Sequence, residues 1–221
     1  MIVQIKKTSQ DHWLLEVNKF LTEEELRKLI RITGKEKDKA LNAGRKTPVK
    51  DWFLVCVAVE TGLRVQEIAD LSCGDFQMNN GHSAVLVRNG KGGKKRLVHI
   101  RDEFRDKALD FFKWKRNQHE STEQDAPLFC VNGRRMTKRA LQKSYKRSLA
   151  KAGISQAKGV GIHSLRHTYA SFLLKASKFN LRLVQRQMGH ASSKTTEVYA
   201  HVFDQDMEKA LGRLYALNNY K

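Results

Sequence analysis

The sequence predicts an α+β fold, mainly helical, with one small antiparallel β-sheet. Three observations lead there. Apolar residues recur at helical spacing through most of the 221-residue chain. Only residues 84–100 depart from that period, giving two β-prone runs around a glycine-rich tip. Pro48 and Pro127 are the only prolines, and no internal repeat, low-complexity tract or linker separates independent cores.

The elements follow in order. Residues 2–5 and 13–17 are short extended candidates, too little to make a domain. Thr22-Glu23-Glu24-Glu25 reads as a capping box, with Thr22 capping a free N–H while Glu25 reaches back. Leu26, Leu29, Ile30 and Thr33 then keep helical spacing up to Gly34, and the polar residues 35–46 read as a surface connection. Thr47 and Pro48 read as the N-cap and first residue of the next helix. Its Trp52, Phe53, Val55, Cys56 and Val59 are apolar nearly all round, which predicts burial. Gly62 closes it, and a short helix follows over 65–71. Residues 84–88 and 96–100 form a hairpin around Asn89-Gly90-Lys91-Gly92-Gly93-Lys94-Lys95. Helices are then expected over 102–118, 137–152 (Thr137 capping, Gly153 stopping), 163–177, 181–188, 193–200 and 204–217.

Composition narrows the function. Forty-two Lys and Arg against 23 Asp and Glu leave a formal charge of +19. A charge so one-sided repels itself in the compact state and points to a polyanionic partner. An acidic membrane surface would want one polybasic cluster or a basic amphipathic helix, whereas these cations are spread along the chain. No apolar run approaches the roughly 18 residues of a membrane span. The opening residues 1–7 hold no apolar stretch of signal-peptide length. Cys56, Cys73 and Cys130 are widely separated, without a CxxC pair, and form neither a disulfide framework nor a zinc ribbon. The reducing cytoplasm is the expected compartment.

Four places hold polar residues where a plain core would not want them. In Thr61-Gly62-Leu63-Arg64-Val65-Gln66-Glu67, Arg64 and Glu67 share a helical face; alone they read as a surface ion pair. The basic hairpin tip lacks the Ser/Thr and spacing of a nucleotide-binding loop; alone it reads as a solvated turn. His163, Arg166 and His167 lie at i, i+3, i+4 near a helix N-terminus. An HxxxH pair invites a zinc reading, but the glutamate of HExxH is absent and Arg166 would sit between the ligands. Donors at a helix N-terminus suit an oxyanion better. Last come Met188-Gly189-His190 and Thr195-Thr196-Glu197-Val198-Tyr199-Ala200-His201. By itself Tyr199 reads as an ordinary amphipathic-helix tyrosine.

Taken together, the ordered set TGLR, GKGGKKR, HSLRHT, MGH and TTxxYxH resembles the tyrosine recombinase (phage integrase) family over about residues 20–217. The resemblance implies a helical catalytic domain with a small sheet. It also implies cleavage and rejoining of duplex DNA through a 3′-phosphotyrosine, with no metal, nucleotide or other cofactor. Arg64 and Arg166 match the catalytic arginines, Glu67 the supporting acid, and Lys91 the hairpin lysine, with Lys94 and Lys95 as nearby alternatives. His163 and His190 match the two histidine boxes and Tyr199 the nucleophile; no role follows for His201, and His167 is expected to pack or orient its neighbours. The chemistry fits these residue types. Two arginines can clamp the non-bridging oxygens of the five-coordinate state, the histidines add donors, and a lysine can protonate the leaving 5′-oxygen.

The domain reading is a short N-terminal extension, residues 1–20, and a catalytic domain, residues 21–221, without the separate DNA-binding domain of larger relatives. Met207, Leu211, Leu214 and Leu217 put a helical stripe on the tail. The stripe packs on its own core or, as the resemblance implies, docks on a neighbour in a homotetramer on DNA. Accessory DNA-bending proteins belong to the same expectation, and a membrane does not. The alternatives are a type IB topoisomerase-like relaxing activity and a non-catalytic DNA-binding regulator that keeps the fold. Target site, and the choice among integration, excision, inversion and resolution, are not encoded in these motifs.

Overall fold

In the computed structural model, which describes residues 20–79, 82–90, 93–155 and 161–189, the first helix is α1 (Glu23–Asn42). The capping box forms: the Glu25 N–H donates to Thr22 Oγ1 and the Thr22 N–H donates to Glu25 Oε2. The helix does not stop at Gly34, as the sequence reading expected, but runs through most of the presumed surface connection. A helical glycine costs only about 1 kcal/mol. Against that, Ala40 is fully buried, Lys37 lies over the Trp52 ring at 4.6 Å, and Glu36 pairs with Lys151 at 2.8 Å. Helix α2 (Lys46–Thr61) likewise starts earlier than expected, with Arg45 at the N-cap and Thr47 inside the helix. Pro48 therefore sits in the first turn, where its missing N–H leaves no bond unmade.

Helix α2 is the centre of the molecule and packs on α1, α4 (Asp102–Asn117), α5 (Lys138–Lys151) and α6 (Ile162–Ala176). Phe53, fully buried, stacks on Phe111 at 3.9 Å between ring centroids, with Phe104, Phe129 and Phe76 around it. The buried Asp51 accepts two bonds of 2.7 Å from Arg147, fixing α2 to α5.

After the short α3 (Val65–Asp70) the chain enters a three-stranded antiparallel sheet, β1 (Phe76–Asn79), β2 (His82–Val87) and β3 (Arg96–His99), in that order. The expected hairpin is β2–β3. Phe76, Val85 and Val98 stand in register and turn their side chains into the core. Strand β1 was not expected, nor were β4 (Cys130–Val131) and β5 (Arg134–Arg135). The turn between β4 and β5 is Asn132-Gly133, with φ of 49° and 73°, the left-handed pair that a tight hairpin requires.

Thr137 caps α5 as expected, accepting from the Ala140 N–H at 3.2 Å. Helix α7 (Leu181–Met188) packs Val184 and Met188 against Ala170 and Leu174 of α6. It also closes the sheet edge: Gln187 donates to the His99 carbonyl at 2.8 Å and accepts from the His99 N–H at 3.3 Å. The three cysteines are buried and unbridged. Among the described residues no helix is long and apolar enough to cross a membrane. The extended candidates near the N-terminus and the helices expected over 193–200 and 204–217 lie outside the described residues.

Candidate active site

Gly62 ends α2 in the left-handed region, φ 58°, and hands the chain to Arg64, the N-cap of α3. A second reason requires glycine here. A Cβ would stand 2.3 Å from Tyr169 Cδ1, so the α2–α6 contact closes only without a side chain. The Gly62 carbonyl in turn accepts from Arg166 Nη1 at 2.6 Å. Arg166 Nη2 donates to the Met188 carbonyl at 2.8 Å, the electronegative end of α7. Arg166 is thus buried at the point where α2, α6 and α7 meet.

Glu67 organises the cations. Its carboxylate accepts from the Arg64 N–H at 2.8 Å and from Arg64 Nη1 at 2.9 Å. Arg96, the first residue of β3, adds a bidentate pair at 3.0 and 2.9 Å, and Arg166 Nη1 lies 3.9 Å away. Burial acts to raise the Glu67 pKa. The Arg96 bonds, the Arg64 N–H and the charges of Arg96 and Arg166 outweigh it and hold the carboxyl below its ordinary value. Among the described residues, three guanidinium groups face one carboxylate, in the planar geometry suited to oxyanions. Arg64 is the most exposed of the three, with 30% of its side chain accessible against 13% for Arg96 and 6% for Arg166.

His163 lies on the exposed side of the first turn of α6. Partial burial first, then the charges of Lys138, Arg166 and Arg64, lower its pKa, so the imidazole is neutral near neutral pH. A neutral ring offers one donor and one acceptor. His167 packs edge-on against Phe20, 5.9 Å between centroids, in keeping with a packing role. Lys94 and Lys95 are exposed beside the hairpin tip. Among the described residues no three His, Cys, Asp or Glu side chains cluster as metal ligands.

Of the residues singled out from sequence, the structure brings Arg64, Glu67 and Arg166 into one cluster and sets His163 on the same helix as Arg166. Lys91, His190, Tyr199 and His201 lie outside the described residues. Arg96 is the participant that sequence reasoning missed. It was counted as the start of a β-strand and the end of the GKGGKKR run, and nothing local shows that it reaches a glutamate 29 positions earlier.

This mainly helical fold gathers three arginines on one buried carboxylate, with a neutral histidine on the helix that carries Arg166. Residues 19–206 match the phage integrase family, and the chain belongs to that family. It is similar to the tyrosine recombinase XerA of Pyrococcus furiosus, 31% identical over 202 residues, which are 91% of this chain and 63% of that protein. It is also similar to the tyrosine recombinase XerH of Helicobacter pylori, 31% identical over 191 residues, 86% of this chain and 50% of that one. Among solved structures, a XerH recombinase bound to a palindromic difH substrate in a post-cleavage complex aligns with a TM-score of 0.71. That alignment has 29% identity and covers 89% of this chain and 53% of the other. The chain therefore spans between half and two thirds of the length of these relatives.

Proposed function

We propose that this chain is the catalytic domain of a site-specific recombinase, cleaving and rejoining duplex DNA through a 3′-phosphotyrosine at Tyr199 without metal or nucleotide. One observation carries the reading: Arg64 and Arg166, 102 positions apart in the chain, are gathered with Arg96 on Glu67, two guanidinium groups placed together as a phosphate clamp needs. Arg64 and Arg166 hold the non-bridging oxygens of the scissile phosphate, and His163 and His190 donate to the same charge. Tyr199 Oη forms the new bond to phosphorus while its proton passes to the unprotonated nitrogen of His163. The bond from phosphorus to the 5′-oxygen breaks, and that oxygen takes a proton from Lys91 Nζ. The phosphodiester energy stays in the phosphotyrosine, so the reverse attack reseals a strand. The +19 charge supplies the remaining backbone contacts, with log K falling by about 0.9 per neutralised phosphate for each unit of log salt.

Residues 21–221 form this catalytic unit, and the apolar stripe of the tail docks on a second copy in a tetramer on DNA in the cytoplasm, with accessory DNA-bending proteins where a site demands them. The test uses duplexes of randomised sequence nicked near one end, so that a cleaved fragment diffuses away and the covalent product is trapped. The wild-type chain accumulates adduct, and Tyr199→Phe binds DNA but forms none. Relaxation of any supercoiled plasmid without site preference would instead favour a topoisomerase, and binding without adduct a regulator.

A further inference from the structure

Resting on that reading, we infer that Arg96 is a positioning residue that sets the hairpin lysine, Lys91, against the arginine cluster. Three contacts of one side chain carry the inference. Arg96 opens β3 opposite Val87, at the base of the hairpin that carries Lys91. Its guanidinium makes both bonds to Glu67, the carboxylate that also holds Arg64. The same side chain is packed between two glycines. A Cβ on Gly189 would stand 2.6 Å from Arg96 Cδ and Nε, and one on Gly90 would stand 2.6 Å from the Lys94 carbonyl oxygen and 3.1 Å from Arg96 Nη1. Gly90 directly precedes Lys91, and Gly189 directly precedes His190.

Gly90 is also tied to Gly93 and Lys94. The Gly90 N–H donates to the Lys94 carbonyl at 3.0 Å, and the Gly93 N–H donates to the Gly90 carbonyl at 2.9 Å. A solvated surface arginine would not be wedged between two backbones and anchored by a buried acid. Arg96 instead connects the start of the tip to Glu67 by one rigid, planar, two-pronged contact. A lysine at this position would carry the charge but not the fork. Arg96 touches neither phosphorus nor the leaving oxygen; it acts through the placement of Lys91.

The leaving group separates this role from a structural one. With oxygen at the bridging 5′ position the departing alkoxide needs the Lys91 proton. With sulfur there, the thiolate, whose parent thiol has a pKa of ~8.5, departs without one. The nicked duplex is built from the sequences that wild-type protein captures, in 5′-oxygen and 5′-sulfur forms, and single-turnover cleavage is measured beside DNA affinity. Arg96→Lys is expected to cleave the oxygen substrate about 100-fold more slowly at unchanged affinity, and to recover to within about tenfold of wild type on sulfur. Lys91→Ala should recover in the same way and Arg64→Ala should not. Arg96→Gln, which keeps a polar stem but neither the charge nor the fork, should repeat the pattern and carries the test if Arg96→Lys does not fold. Equal defects on both substrates, or no defect, would overturn the inference. A wild-type chain that captures no DNA at all would overturn the recombinase reading itself.

Discussion

The guanidinium of Arg166 donates to the main-chain carbonyl of Gly62 at 2.6 Å, across 104 residues of sequence. That bond joins two motifs that lie far apart in the chain into one site, and it passes through a glycine whose side-chain space is already filled by Tyr169. Gly62→Ala should therefore act twice, through left-handed strain and through the collision with the Tyr169 ring. A loss of about 2 kcal/mol or more is expected in urea unfolding. DNA cleavage should fall further than the residual folded fraction explains. A variant with unchanged stability would contradict the packing described.

Removing the shared carboxylate leaves the half-buried Arg96 without its bidentate partner and takes a negative charge from 3.9 Å of the buried Arg166. Glu67→Gln is expected to cost about 3–5 kcal/mol near neutral pH. The Glu67 pKa is depressed by folding, so its contribution is present above the ordinary carboxylate pKa and is lost as pH falls through the lower folded value. The stability difference between wild type and variant should shrink on acidification, and a difference independent of pH would count against the ion-pair account.

Lys138, at the start of α5, is the strongest of the charges acting on His163. Lys138→Gln should raise the His163 pKa toward the free imidazole value, read by following its ring protons through a pH titration. In a cleavage assay the acid limb, where His163 becomes protonated and can no longer accept the phenolic proton, should move to higher pH in the same variant. A pKa that stays put would show that Lys138 does not act on the ring.

Tyr145 is fully buried, and its hydroxyl makes no hydrogen bond among the described residues. Burial raises its pKa strongly, as expected for a phenol with nothing to stabilise its charge. Tyr145→Phe removes an unsatisfied polar atom and keeps the ring, so a gain of about 1 kcal/mol, or roughly 2–4 °C in Tm, is expected. A destabilised variant would reveal a partner for the hydroxyl.

These sites differ in how far they could be read from sequence. Thr22, Thr137 and Gly62 were legible because a cap or stop is a local arrangement of backbone and one side chain. Arg64 and Glu67 were legible as a pair because i, i+3 spacing on a helix fixes their meeting. Helix α1 was cut short because a glycine and a run of charges look like an ending, while burial of Ala40 and the pairing of Glu36 with Lys151 are tertiary facts. The short strands were passed over because two to four residues show no period; Asn80-Gly81 and Asn132-Gly133 were the available turn signals. Arg96 escaped for the deepest reason: its role exists only after β3, α3 and the start of the hairpin tip are brought together.

The central claim, that Tyr199 carries the DNA during strand exchange, is tested most directly by locating the covalent bond. The adduct formed with the nicked duplex is digested with nuclease and protease, and the peptide bearing the residual nucleotide is sequenced by mass spectrometry. The account predicts a 3′-linked nucleotide on Tyr199. A nucleotide on any other side chain, or a 5′ linkage, would contradict it.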